Sequence, residues 1–211
     1  SSAALLSHQG YDVVVFDRAQ HVGGKAGTVE YGNITLDTGP SLLTLKDEIS
    51  MVFEGCGESL KDHLTLRPHS NSFRYSFPDG VTLDISDDFE VTAGTIKDQL
   101  GSQAEKELRS FLDYSTRIWA NACPHFVLDH APTFWHTLKK GFTGLRAVTQ
   151  IDAFNNMKSA IDSRVSDQHL RHILYRYATY NGSDPARAPA TLNCIAHVEL
   201  RLGGYGIEGG M

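Results

Sequence analysis

An acidic side chain and a glycine pair lie close together near the start of the sequence. A short apolar run at 13–16 ends at Asp17, and Gly23, Gly24 and Lys25 follow in the next loop. A carboxylate at the end of a buried strand accepts hydrogen bonds from ribose hydroxyls in dinucleotide-binding folds. Paired glycines let backbone N–H groups approach a pyrophosphate, and a lysine neutralises part of its charge. Singly, the aspartate would suit a surface loop and the glycines a tight turn, but together they predict a nucleotide site.

A second turn, Asp37-Thr38-Gly39-Pro40, follows shortly afterwards. A leucine followed by Asp-Thr-Gly is also the signature of aspartic proteases, in which two carboxylates share one proton. Such a site needs a second copy of the triplet or a homodimer, and no second DTG or DSG occurs in the sequence. The protease is therefore disfavoured, and a glycine–proline turn is the plain structural alternative.

The composition of the 211 residues excludes several classes of protein. Lys and Arg total 19 and Asp and Glu total 25, a net charge of −6, whereas a nucleic-acid-binding surface needs a basic patch. Three scattered cysteines, Cys56, Cys123 and Cys194, form no metal-binding motif and suit a reducing compartment such as the cytoplasm. No apolar run reaches the roughly 18 residues that span a bilayer. We therefore expect a globular protein without a metal site or a nucleic-acid partner.

The elements that must position the candidate residues resemble the later part of a βαβ unit. A helix is predicted at 1–9, a cap at Gly10 and a strand at 11–16, followed by Asp17. In the dinucleotide-binding fingerprint the acidic residue comes about 20 positions after the glycine-rich loop. We therefore expect that loop to precede Ser1, so that the chain is a fragment.

Beyond this unit the pattern changes from strands to helices. Two hairpins are expected, around Gly32-Asn33 and around Pro78-Asp79-Gly80. Ser86-Asp87-Asp88 predicts a helix N-terminus, with acidic charge near the first turn, and residues 89–177 are expected to be mostly helical. A stripe with helical spacing, apolar except for Ser115, runs through Leu108, Phe111, Leu112, Ser115, Ile118 and Trp119. Further helices are predicted at 47–53, 168–180 and 190–202, with a break at 181–185.

These elements predict an α/β fold with two domains. Residues 1–88 would form a partial Rossmann-like nucleotide-binding domain together with the start of a hairpin from the second domain. Residues 89–211 would form a mostly helical substrate domain within a helix-rich α+β region.

Two separated motifs resemble those of one protein family. They are HVGGKAG followed by LDTGPS, at 21–41, and the run at 177–211 that begins YATYNGSDPARAPATLN. Both are similar, in the same order, to motifs of the phytoene desaturases, the bacterial carotenoid desaturases of the amine-oxidase-like flavoprotein superfamily. The resemblance covers essentially the whole chain.

The resemblance implies FAD as cofactor and a lipophilic polyene as substrate. Asp17 corresponds to the ribose-binding acidic residue, and Gly23, Gly24 and Lys25 to the glycine loop of the family. Asp37, Thr38, Gly39 and Pro40 correspond to the turn near the flavin. The implied reaction removes two hydrogens from a saturated bond within the polyene, with the flavin accepting a hydride. The family's GxGxxG loop and its carboxyl-terminal flavin segment are not in this sequence, so weak or absent FAD binding is expected of the fragment.

Other functions fit the same residues. Another flavoprotein of the superfamily, such as an amine oxidase or a carotenoid oxidase, is the first alternative, and an inactive truncated chain is the second. No catalytic residue is assigned, although Arg187 and Glu199 are the charged residues of the second motif that merit testing first. Residues 134–146 mix aromatic, apolar and basic side chains, which favours either a membrane-surface segment or an amphipathic core helix. A cytoplasmic protein that contacts the membrane peripherally is therefore expected.

Overall fold

Helices and three separate two-stranded antiparallel sheets make up the computed structural model, which describes residues 2–19, 22–68, 72–124 and 149–210. These residues divide into two units, Ser1–His69 with Gly203–Met211, and Ser70–Leu202. The predicted division at residue 88 differs from this one because the hairpin at 73–85 groups with the helices. The assignment of functional domains stays a prediction.

Among its described residues, the first unit contains three helices and two small sheets. Its elements are α1 (Ser2–His8), β1 (Thr28–Tyr31), β2 (Ile34–Asp37), α2 (Lys46–Glu54), α3 (Leu60–His63), β3 (Leu66–Pro68) and β6 (Tyr205–Ile207). Strand β1 pairs with β2, and β3 pairs with β6. The predicted cap of α1 is confirmed, because Gly10 has a φ of 90° and donates its N–H to the Ser7 carbonyl at 2.9 Å. The predicted hairpin around Gly32-Asn33 and the helix at 47–53 are also confirmed.

The strand predicted at 11–16 is not formed. Residues 11–17 pair with none of the described strands, and their apolar side chains face solvent, with Phe16 92% exposed and Val14 69% exposed. A strand exists only where a neighbouring strand accepts and donates its hydrogen bonds, and apolar alternation alone supplies no neighbour. The mixture of helices and strands agrees with the expected fold class, whereas the Rossmann-like arrangement stays a prediction.

The second unit holds the hydrophobic core. Its elements are β4 (Phe73–Ser76), β5 (Thr82–Ile85), α4 (Phe89–Leu100), α5 (Ser102–Ala122), α6 (Met157–Asp162), α7 (Gln168–Tyr175) and helical turns at Arg176–Asn181 and Ala190–Leu202. The predicted hairpin at 73–85 is confirmed, and Asp88 caps α4 by accepting the Glu90 N–H at 2.8 Å. The predicted helix at 190–202 is irregular, since it passes from 3₁₀ through α to π geometry at Val198–Leu202.

Helix α5 is the centre of this core. The predicted apolar stripe is confirmed, because Phe111, Leu112 and Ile118 are fully buried and Leu108 is nearly so. Leu83 and Ile85 of β5 and Ile96 of α4 belong to the same cluster. The spacing of the side chains was enough to predict this buried face, because buried positions recur with the period of the helix.

None of the helices within the described ranges is long and apolar enough to cross a bilayer. Residues 134–146, for which a membrane-surface segment or a core helix was expected, lie outside the described residues.

Candidate functional site

The glycine loop, residues 23–27, is a tight turn with one open side. Gly23 has a φ of 112° and Gly24 a φ of 59°, which L side chains rarely adopt. The Ala26 N–H donates to the Gly23 carbonyl at 3.0 Å and closes the turn. A Cβ atom placed on Gly24 would meet no atom within 4 Å, and Lys25 is exposed. The loop therefore offers accessible backbone beside a cation.

The Asp37 turn, residues 37–40, packs directly against this loop. Thr38 donates twice to the Gly27 carbonyl, from its N–H at 2.8 Å and from its Oγ1 hydroxyl at 2.9 Å. A Cβ atom placed on Gly39 would lie 1.7 Å from the carbonyl oxygen of Lys25, so only glycine fits there. The structure thus brings together two of the predicted site segments, backbone against backbone.

The end of the second motif meets the Asp37 turn and the residues after it. Leu43 and Tyr205 exchange two backbone hydrogen bonds of 2.8 Å. A Cβ atom on Gly204 would lie 2.8 Å from the Leu42 side chain, and one on Gly210 would lie 3.2 Å from Asp37 Oδ1. The two motifs that carry the family resemblance therefore share an interface, although more than 130 residues separate them in the sequence.

The hydrogen bond described for Asp17 is local and does not join it to the glycine loop or the Asp37 turn. Its Oδ1 accepts the Ala19 N–H at 2.8 Å, which is the local bond of an aspartate that opens a turn. It lies at the end of the exposed segment 11–17 rather than at the edge of a sheet. Its role at a ribose stays a prediction. Pro40 is exposed and ends the turn.

Glu199, one of the two charged residues singled out in the second motif, is buried in an ion pair. It is 4% exposed, and its Oε1 accepts from the Arg176 guanidinium. Tyr177 donates to Oε1 at 3.2 Å and Tyr180 donates to Oε2 at 2.7 Å. Arg187 is exposed and lies in the turn after Asp184. Only the glutamate therefore has a buried, specific environment.

Arg176 was missed by the sequence analysis. Its guanidinium lies 4.1 Å from the centroid of Phe73 and 4.9 Å from that of Tyr177. The centroids of Tyr75 and Tyr180 lie 5.9 and 6.0 Å away. An arginine inside the run YRYATY was the available signal, because arginine pairs with aromatic faces.

The Glu199 cluster shifts several titrations. Burial first, and then the Glu199 charge and its hydrogen bond, raise the pKa of Tyr180 to about 12. Burial also raises the pKa of Tyr177 well above its ordinary value. Burial opposes the charge of Arg176, but the adjacent carboxylate outweighs it and raises the guanidinium pKa. At neutral pH the Arg176 guanidinium is therefore charged and the phenols of Tyr177 and Tyr180 are neutral.

A cavity of about 630 Å³ lies in the first unit beside Tyr205. Its wall includes Leu60, Leu64 and Leu66, and the Lys46 ammonium lies 4.9 Å from the centroid of the Tyr205 ring. A hydrogen bond with Tyr205 raises the pKa of Lys46. Two lysines and two carboxylates line the cavity, so its charge favours neither anions nor cations.

Comparison with known proteins identifies the family. A model of the flavin-containing amine oxidoreductases matches residues 1–208. The chain belongs to this family. Its relatives include a 4,4'-diapolycopene oxygenase from Methylomonas sp, 30% identical over 212 aligned residues, and a 4,4'-diaponeurosporene oxygenase from Staphylococcus aureus strain MRSA252, 31% identical. Each alignment covers all of this chain and 42% of the relative's length.

Membership of a flavin-containing family confirms FAD as the cofactor. The glycine loop fits this group, since the space beside Gly24 is open and the positive φ angles turn the backbone sharply. Gly23, Gly24 and Lys25 are the residues that would hold the pyrophosphate, the lysine by its charge. Flavin, when bound, supplies a two-electron hydride acceptor. The chain itself supplies open backbone at Gly24 beside the exposed Lys25, on a loop that the Asp37 turn contacts.

Proposed function

We propose that the natural protein is an FAD-dependent oxidoreductase that oxidises a carotenoid. The observation that carries the proposal is the packing of the Asp37 turn on the glycine loop, which supports Gly24 and Lys25 as a phosphate-holding element. The similarity to two carotenoid oxygenases supports the substrate class and favours oxygenation over the other oxidations that the family could perform.

Desaturation is the second candidate. Both sequence motifs resemble those of phytoene desaturases, and hydride acceptance by flavin would by itself account for desaturation, whereas oxygenation would also need dioxygen or water as the source of the oxygen atom. Oxygenation and desaturation differ in the composition of the carotenoid product. Oxygenation adds oxygen to the carotenoid, whereas desaturation removes two hydrogens for each new double bond and adds none.

Co-expression of the natural protein with enzymes that supply acyclic carotenoids separates these candidates. Mass spectrometry of the extracted pigments should show a product that has gained oxygen. A product that has only lost hydrogen pairs would replace oxygenation with desaturation, and unchanged carotenoid alongside amine oxidation would overturn the carotenoid proposal.

Two glycine variants test the site in the same assay. Gly39→Val should abolish the product, because the added side chain would overlap the Lys25 carbonyl. Gly94→Ala is the matched control, since its Cβ would meet no atom within 4 Å and helix α4 favours alanine. Equal loss of product in both variants would show that the contact of Gly39 with the glycine loop is not specifically required for the reaction.

A lipophilic substrate would reach the protein from a membrane, so we also propose peripheral contact with a membrane from the cytoplasmic side. The aromatic and basic composition of residues 134–146 supports this contact. Sedimentation with anionic lipid vesicles tests it, and recovery of all the protein in the supernatant at low salt would contradict it.

A further inference from the structure

The side chain of Thr38 is directed at the glycine loop. Its hydroxyl hydrogen is donated to the Gly27 carbonyl at 2.9 Å, and its N–H donates to the same oxygen at 2.8 Å. Both donors of this residue are therefore used to hold the loop. The resemblance placed Thr38 at the cofactor, but these bonds leave it no proton to donate to one.

Gly39 allows a close contact between the two segments because it has no side chain. The chain passes so close to the Lys25 carbonyl that a Cβ would fall 1.7 Å from its oxygen and 2.9 Å from its carbon. No side chain tolerates that approach without a backbone shift, because real Cβ contacts essentially never fall below 3.0 Å. The contact therefore fixes the peptide next to Lys25, the one cation of the loop.

The residues that follow the Asp37 turn are also held. The two hydrogen bonds between Leu43 and Tyr205, and the close approach of Gly204 to Leu42, fasten residues 42–43 to the chain at 204–205. The Asp37 turn thus lies between the glycine loop and the end of the second motif. The turn therefore has contacts with the rest of the chain on which the position of the glycine loop can depend.

We propose that the Asp37 turn is the positioning element of the glycine loop. Thr38 and Gly39 set the conformation of residues 23–27 and act on FAD only through that loop. The proposal rests on the proposed function for the identity of the ligand, but its structural part concerns the loop alone.

The natural protein and three threonine variants test the role of Thr38. Thr38→Val removes the hydroxyl with little change in shape, and Thr38→Ser restores it. Thr35→Val, on strand β2 of the same hairpin, makes the identical chemical change at an exposed position and serves as the control. Amide hydrogen exchange is measured without flavin, and binding of FAD and of riboflavin is measured by fluorescence quenching.

Thr38→Val should accelerate exchange at the Ala26 and Thr38 amides and raise the FAD dissociation constant about three- to tenfold, as expected for one lost hydrogen bond. Riboflavin binding should change little, because riboflavin carries no phosphate for the loop to hold. Thr38→Ser should return both measurements to the natural values, and Thr35→Val should alter neither. Gly39→Ala should act like Thr38→Val or more strongly, with Gly94→Ala as its control.

Two results would overturn the proposal. Weaker FAD binding by Thr38→Val with unchanged exchange would mean that Thr38 contacts the cofactor directly. Faster exchange with unchanged FAD binding would mean that the loop does not hold the phosphates. Absence of FAD binding by the natural protein would instead overturn the proposed function, and the exchange data would still decide whether Thr38 positions the loop.

Discussion

The Arg176 guanidinium is paired with the Glu199 carboxylate, which is 4% exposed and also accepts hydrogen bonds from two tyrosines. Glu199 lies in the π-helical turn at Val198–Leu202, and Arg176 begins the 3₁₀ turn after α7. Phe73 and Tyr75 of β4 complete the surroundings of the guanidinium. The ion pair therefore links two irregular helical turns, and the contacts of Arg176 with the two rings link them to the hairpin.

Glu199→Gln should lower the free energy of unfolding by about 3 kcal/mol, because it leaves a largely buried guanidinium without its counter-charge. Asp113→Asn is the control. It breaks an arginine–carboxylate pair with Arg201, but there the aspartate is 75% exposed, so we expect a loss of about 0.5 kcal/mol or less. Urea unfolding measures both, and similar losses would show that burial of Glu199 is not decisive.

Arg176→Lys should cost about 1–2 kcal/mol although the charge is kept. Lysine cannot stack a planar group on Phe73 and Tyr177 while bonding Glu199. Arg67→Lys, at an exposed pair with Glu208, gives the comparison and should leave the unfolding free energy nearly unchanged. A lysine variant as stable as the natural chain would mean that the rings add little to the ion pair.

Features that depend on local spacing were predictable. The stripe of α5, the Asp88 cap and the hairpins at Gly32 and Gly80 follow from residues within a few positions of one another. The strand at 11–16 failed because a strand also needs a neighbour, which no local pattern supplies. The tyrosines next to Arg176 in the sequence were a local signal, but its ion-pair partner Glu199 and the rings of Phe73 and Tyr75 come from distant positions, which no local pattern supplies.

Some features of the candidate site could also be predicted from the sequence, and others could not. Residue types marked Gly23, Gly24 and Lys25 and the Asp37 turn, because glycine and lysine have recognisable chemistry beside phosphates. The close contact of Gly39 with Lys25 is a matter of space, and it cannot be read from composition or spacing. The sequence therefore predicts which segments form the site, whereas the structure shows that the two segments pack against each other.

Alkaline pH should destabilise the Glu199 cluster. The pKa of Tyr180 is raised from 10.0 to about 12 in the folded chain, chiefly by burial. Between these values the unfolded chain has released the phenolic proton and the folded chain has not, so the free energy of unfolding falls as the pH rises. Below about pH 10 the contribution is fully present.

Tyr180→Phe removes this titration, so the free energy of unfolding should fall less steeply as the pH rises. Urea unfolding at about pH 8 and about pH 11 measures it, with the variant losing less stability between the two than the natural chain. The variant should also be somewhat less stable at the lower pH, because Glu199 loses one hydrogen bond. Parallel losses in both proteins would contradict the assignment of the shift to Tyr180.

Lys25→Gln should weaken FAD binding by about three- to tenfold and leave riboflavin binding unchanged. Lys25 is exposed on the glycine loop, and its charge acts on phosphate, which FAD has and riboflavin lacks. Because the site is open to solvent, added salt should reduce the difference between variant and natural protein. Lys61→Gln, an exposed lysine on α3, is the control and should affect neither ligand. Equal weakening of both ligands would mean that Lys25 maintains the fold of the loop rather than attracting the pyrophosphate.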